Sequence, residues 1–229
     1  MKIGILGAMP EEIEPLLKIF KDYEEIQYAD NIYYKTTYQN LEIYLAYSRI
    51  GKVFSSISAF SLIGHFGCEK ILFSGVAGAI SETLKIGDLI LASKLCQHDL
   101  DITAFGHPFG FVPGGEVFVE TNKELNVLAA QVAKENDIEL VQGVIATGDQ
   151  FVTSTATKEF IAKEFKADAL EMEGASVANV CKALGVPCLI LRSISDTANE
   201  EANIDFDAFL EKSSLRSAQL LVKILDKLQ

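Results

Sequence analysis

The 229-residue chain has no tryptophan, five prolines, four cysteines and three histidines. Cys68, Cys96, Cys181 and Cys188 never form a Cys-x-x-Cys pair and sit in apolar or strand-like stretches. They read as reduced core thiols of a cytoplasmic protein rather than as a disulfide framework. His98 lies in Gln97-His98-Asp99-Leu100-Asp101, which offers ligand-type side chains. No second histidine or cysteine stands nearby at ligand spacing, so no metal and no other cofactor is expected. Positive charge is scarce, with 20 Lys and Arg against 32 Asp and Glu and a net charge of −12. Such a chain repels phosphate backbones and anionic lipid, so neither a nucleic acid nor a membrane is an expected partner; a single neutral nucleoside stays open. No apolar run reaches the length of a membrane span. The opening Met1-Lys-Ile-Gly-Ile-Leu-Gly7 reads as a strand and not as a signal peptide. Gly4-Ile-Leu-Gly7 lacks the G-x-G-x-x-G spacing, and there is no Walker sequence.

Apolar residues make up 49% of the chain, enough for a sizeable core. Strands are predicted at Lys2–Gly7, Lys70–Ser74, Asp88–Ala92, Leu140–Thr147, Ala167–Glu171 and Pro187–Ser193. A hairpin is predicted from Ile32–Tyr38 and Leu41–Tyr47 around Gln39-Asn40. Helices are predicted at Pro10–Phe20, Lys52–Phe66, Asn122–Asn136, Thr155–Phe165, Gly174–Leu184 and Phe206–Lys227. The Lys52–Phe66 helix is apolar nearly all round, which implies burial inside the subunit or against another one. Ile102–Val119 is a loop rich in Gly, Pro and Phe, of the kind a partner covers. The alternation of strands and helices, without a composition break, predicts one α/β domain over residues 1–229. Its largely parallel core is made mixed by the hairpin.

Several segments carry chemistry or, alternatively, only structure. Glu11 and Glu12 fall in the first turn of a helix, where acids complement the helix dipole; Glu12 could equally be a general base at a cleft mouth. Gly75-Val-Ala-Gly78 is either a plain strand-to-loop turn or a place where a ligand approaches the backbone. Gly148-Asp-Gln-Phe-Val152 leaves a strand, and Phe151 either packs in the core or stacks on a flat base. Glu171 and Glu173 would point to the same side of an extended strand, amid apolar neighbours where acids are costly. Arg192 and Asp196 could be a structural ion pair or part of a site, and Asp196 could cap a turn with Thr197.

Taken in order, these segments resemble the 5′-methylthioadenosine/S-adenosylhomocysteine nucleosidases. The markers are Lys2–Met9 with Glu11-Glu12, Ile50-Gly-Lys-Val53, Gly75-Val-Ala-Gly78, His98–Gly106, Gly148–Val152, Glu171-Met-Glu173 and Arg192-Ser-Ile-Ser-Asp196. The resemblance implies the fold of the purine nucleoside phosphorylase/nucleosidase superfamily: a three-layer α/β domain with a mixed central sheet flanked by helices, in a homodimer. It implies that Glu12 is the base that activates water and Asp196 the acid that protonates adenine N7. Met172 and Glu173 would bind the ribose, and Phe151 and the Val152 backbone the adenine. Arg192 would balance the carboxylates. Gly78, Ser195, Met9 and Ile50 would line the site, and Phe206 would close over the base. Ile102, Phe105, His107 and Pro113 would come from a second subunit to line the 5′ pocket. Two positions depart from the family pattern: Val76 stands where many members carry a small polar residue, and Pro10 replaces a common acid. The implied reaction is N-glycosidic hydrolysis of methylthioadenosine and S-adenosylhomocysteine, with 5′-deoxyadenosine and 6-amino-6-deoxyfutalosine as further candidates. The alternatives are a phosphorylase of the same fold, which would need cationic residues where Glu12 is expected, and a non-catalytic nucleoside-binding protein.

Overall fold

The computed structural model describes residues 1–198 and 202–228, leaving aside the side chains of 202–205 and 207. Its strands are β1 (Lys2–Gly7), β2 (Glu24–Tyr28), β3 (Asn31–Tyr38), β4 (Leu41–Tyr47), β5 (Lys70–Ala79), β6 (Leu89–Gln97), β7 (Phe118–Glu120), β8 (Leu140–Thr147), β9 (Ala169–Glu171) and β10 (Cys188–Asp196). The α-helices are α1 (Pro10–Ile19), α2 (Lys52–Phe60), α3 (Lys123–Glu135), α4 (Thr155–Phe165), α5 (Gly174–Leu184) and α6 (Ala202–Leu225).

All the strands join one mixed sheet. β5 runs parallel to β1 and β10, β8 parallel to β6 and β9, and β10 antiparallel to β6. β9 also pairs with β5, so β5, β10, β6, β8 and β9 close on themselves as a small ring. β1, β4, β3 and β2 fan out from β5.

Period-two alternation along the buried strands sends side chains to two apolar layers. Leu6, Ile71, Phe73 and Ile190 meet α2 and α5 on one face; Ile3, Ile5, Leu72, Leu189 and Leu191 meet α1, α3 and α6 on the other. This is the three-layer arrangement expected from the sequence. A smaller cluster under α4 joins Ile161 and Phe165 to Cys96, Ala146 and Leu170.

The differences from the sequence reading have local causes. β2 lies at the sheet edge with mostly exposed, polar residues, so it carries no alternation to read. β7 is only three residues long. Gly75-Val-Ala-Gly78 is not a turn: β5 runs straight through it to Ala79, held by β10 and β9. α2 ends at Phe60 and passes into a π-helical turn over Ser61–His65. It buries Ser55, Ser58 and Ala59 and leaves Val53, Phe54, Ile57 and Phe60 exposed, the reverse of a helix buried within its own subunit. In the 102–119 loop Phe109 packs on Phe160 and Phe165, and Phe118 joins the cluster under α4. Phe105, by contrast, is 82% exposed. Cys68, Cys96, Cys181 and Cys188 are free and buried.

Candidate active site

The carboxyl ends of β1, β5, β8, β9 and β10 open onto one cleft with about 550 Å³ of empty space, part of it open to solvent. This is where an α/β sheet places a ligand.

Asp196 ends β10. The register against β5 slips between Ile194 and Asp196, and Asp196 pairs with Gly78. Such an irregularity re-aims the side chain that follows it. Asp196 is buried; one carboxylate oxygen accepts from Ser195 Oγ at 2.9 Å and the other from the Ala198 N–H at 2.8 Å. A Cβ on Gly78 would stand 2.7 Å from Asp196 Oδ1, so only glycine lets this carboxylate lie against the strand.

Glu12 arrives from the other side. Pro10 opens α1, and Glu12 at its third position turns back to the helix start. Its carboxylate accepts from the N–H groups of Ala8, Met9 (3.2 Å) and Val76 (2.9 Å). The residue thus caps the helix and also faces the cleft. Val76 contributes its backbone here, which any side chain at that position would leave in place. Burial holds the Glu12 carboxyl above its usual range, against the pull of Arg192 and the three N–H donors. Gly75 makes room for it, since a Cβ there would sit 2.6 Å from Glu12 Oε1. Glu11 is exposed.

Glu171 and Glu173 do not share a side of one strand. β9 ends at Glu171, and Glu173 is the residue that starts α5, with φ −137° and ψ −33°. Glu171 is tied to Arg192 at 2.7 Å, to Thr147 Oγ1 at 2.5 Å and to the N–H groups of Glu173 and Gly174. The ion pair left open between Arg192 and Asp196 thus forms between Arg192 and Glu171. The Arg192 guanidinium is buried, 4.0 Å from the Phe73 ring, and lies behind the cleft rather than in its wall. Glu173 turns into the cleft, where Oε1 accepts from the Gly51 N–H at 2.9 Å. Burial, then the neighbouring Glu171, push its carboxyl up to about 8.

Met9, Glu12, Ile50, Gly78, Phe151, Val152, Met172, Glu173, Ser195, Asp196 and Phe206 all line this cleft. Phe151 and Phe206 meet edge to face at 5.5 Å across its mouth. Six wall residues were not among the expected site residues, Ala8, Val76, Ala77, Gln150, Leu170 and Glu171; all lie inside motifs or strands already read from the sequence. Ile102, Phe105, His107 and Pro113 do not line it. They lie on the 102–119 excursion, where Phe105, His107 and Pro113 are exposed and His107 stacks on Phe111. Among the described residues the wall holds four carboxylates, Glu12, Glu171, Glu173 and Asp196, and no lysine or arginine. No group of three or more His, Cys, Asp or Glu is arranged among them to hold a metal. An apolar cleft with convergent buried acids can bind a flat, uncharged ligand, activate a water and donate a proton.

Fold and site together define an enzyme of the nucleoside-cleaving type, and comparison with known proteins agrees. The family model described as the phosphorylase superfamily matches residues 2–226, and the chain belongs to that superfamily. It is 57% identical over 228 residues to the aminodeoxyfutalosine nucleosidase of Helicobacter pylori, covering 99% of each chain. It is also 57% identical to that of Campylobacter jejuni, covering all of both. A crystal structure of 5′-methylthioadenosine/S-adenosylhomocysteine nucleosidase from Helicobacter pylori with butyl-thio-DADMe-Immucillin-A superposes with a TM-score of 0.99. That chain is 55% identical, and the match covers 100% of this chain and 99% of it. The family and fold expected from the motifs are thereby borne out.

Proposed function

We propose that this enzyme hydrolyses the N-glycosidic bond of adenosine-type nucleosides carrying a 5′ substituent, releasing adenine and the substituted ribose. Methylthioadenosine, S-adenosylhomocysteine, 5′-deoxyadenosine and 6-amino-6-deoxyfutalosine are the candidate substrates. The names of the relatives support the first two and the last. The observation that carries the reaction type is the pairing of two buried carboxylates, Glu12 and Asp196, on one cleft whose described wall residues include no cation for phosphate.

Glycosidic cleavage builds positive charge on the sugar and negative charge on the departing base, and two acids answer those needs from opposite sides. Asp196 delivers a proton to adenine N7, with the Ser195 hydroxyl orienting its carboxylate. Glu12 takes a proton from the attacking water, and its raised pKa makes it the stronger base. Glu173 grips the ribose hydroxyls, more tightly as the oxocarbenium character grows. Phe151 stacks on the adenine under Phe206, the Val152 backbone reads its edge, and Met172, Met9 and Ile50 exclude bulk water. The anchors of the two acids, Gly75 and Gly78, are three residues apart on β5, about 10 Å at strand rise. Both carboxylates face the one cleft.

In this reading the enzyme is one domain that works as a homodimer in the cytoplasm. The exposed apolar face of α2 and the bare Phe105 favour a partner surface. Ile102, Phe105, His107 and Pro113 of one subunit would then close the 5′ end of the other's cleft. Four unpaired buried thiols suit a reducing compartment. Among the described residues no helix is long and apolar enough to cross a membrane.

The test is adenine release from methylthioadenosine with and without inorganic phosphate. Equal rates and a free reducing sugar are expected. Turnover that requires phosphate and yields a sugar 1-phosphate would turn the reading into a phosphorylase. Intact nucleoside after prolonged incubation would leave only a binding protein.

A further inference from the structure

A second polar cluster lies outside the wall of the cleft, and it joins three chain segments. Lys52 Nζ, at the start of α2, donates to Gln97 Oε1 at 3.1 Å, the last residue of β6, and to Asp99 Oδ1 at 2.7 Å just beyond it. The other Asp99 oxygen accepts the Asp149 N–H at 2.8 Å, in the loop leaving β8. Asp149 Oδ1 in turn accepts the Lys52 N–H at 2.8 Å. The Lys52 and Asp99 side chains are only 18% and 15% exposed, so this pair is largely shielded from solvent, unlike an ordinary surface pair. Burial pushes the Asp99 carboxyl up, but Lys52, the Asp149 N–H and His98 together hold it below its usual range.

What the cluster fixes is more telling than the pair itself. Gly51, one residue before Lys52, has φ +99° and presents its N–H to Glu173 Oε1. A Cβ at Gly51 would stand 3.0 Å from Asp149 Oδ1, so the two loops are in close register. Ile50, on one loop, and Gln150, Phe151 and Val152, on the other, are walls of the cleft. Ile50 and Gly51 lead into α2, of which Lys52 is the first residue, and residues 149–152 run between β8 and α4.

We propose that Asp99, acting with Lys52, is a positioning residue that locks the 50–52 loop to the 149–152 loop, setting the ribose-facing Glu173 and the base-facing Phe151 at a fixed distance from each other. The proposal rests on the nucleosidase reading of the cleft. Because both loops touch sugar and base before and during reaction, loosening them removes binding common to ground and transition state. The loss should fall on KM and spare kcat.

The experiment uses the full chain in two arms. In kinetics with methylthioadenosine, K52M and D99N should each raise KM about tenfold and leave kcat within about threefold. K52M/D99N should be no worse than either single change, and K52R should restore most of the loss. The second arm needs no activity. Because the chain has no tryptophan, F151W carries its only indole. The fluorescence anisotropy of that indole should fall when K52M or D99N is added and recover with K52R. Unchanged anisotropy in both variants would overturn the proposal, even if KM rose, since the loss would then lie in charge and not in loop position. Should K52M fail to fold, D99N, which keeps the shape of the side chain, decides alone. A wild-type protein without turnover would sink the nucleosidase reading, and the anisotropy arm would still judge the clamp.

Discussion

A methyl group on Gly78 would stand 2.7 Å from the Asp196 carboxylate, closer than any stable contact. G78A is therefore expected to displace Asp196 rather than to unfold the chain. Turnover should fall at least about tenfold, with a stability cost of about 1–3 kcal/mol for the overpacking; steady-state kinetics beside thermal melting checks both. D196N should abolish adenine release and keep nucleoside affinity, measured by calorimetry. E12Q should be folded and inactive. Wild-type turnover in either variant would remove that residue from its role. The Glu12 carboxyl lies above its usual range, so kcat/KM should decline as pH drops through that raised value and the base takes up its proton. At this scale the sequence was most readable where charge meets apolar surroundings, as at Glu173 and Asp196, whereas Glu12 read equally as an ordinary acid at a helix start and was singled out only by the resemblance. The partner of Arg192 was not readable, because an ion pair between β10 and β9 depends on a chain crossing that no local pattern encodes.

Among the elements, β10 and β9 are joined by that ion pair, with Arg192 and Glu171 both buried. R192M leaves Glu171 buried without its cation and should cost about 3–5 kcal/mol, whereas R192M/E171L should recover most of the loss. Urea titration of the four-member cycle measures this. A double variant no more stable than R192M alone would mean that the pair is not what holds Glu171 in place. Strands and helices with strong periodicity, such as β1, β8, α4 and α5, were legible to within a residue or two. β5 was cut short at Ser74 because Gly75-Val-Ala-Gly78 looks like a turn. Its glycines serve neighbouring carboxylates instead, a purpose visible only once Glu12 and Asp196 are seen leaning on the strand.

At the scale of the molecule, Val53, Phe54, Ile57 and Phe60 form an exposed apolar face along α2. On the proposed homodimer reading, V53D should shift sedimentation from dimer to monomer and reduce adenine release about tenfold or more with the circular dichroism spectrum unchanged. Full activity in a monomer would show that the cleft needs nothing from a second chain. From its sequence the same helix could be buried within the subunit or against another one, since composition cannot tell a core from an interface. Acidity is a second property of the whole. Glu173 holds its proton up to about pH 8 in the folded state against a usual 4.5. The unfolded chain therefore releases that proton first, and the stability it contributes below pH 4.5 is lost as pH rises towards 8. Relative to E173Q, the wild-type unfolding midpoint should fall across that window; parallel profiles would assign the burial cost elsewhere. The closed ring of β5, β10, β6, β8 and β9 carries a last consequence. Of the two acids, Asp196 is seated on that ring itself, whereas Glu12 comes from α1 and Ile50, Phe151 and Val152 come from loops. Ligands designed against this enzyme should therefore tolerate little change at the atom that meets Asp196 and more where loops form the wall.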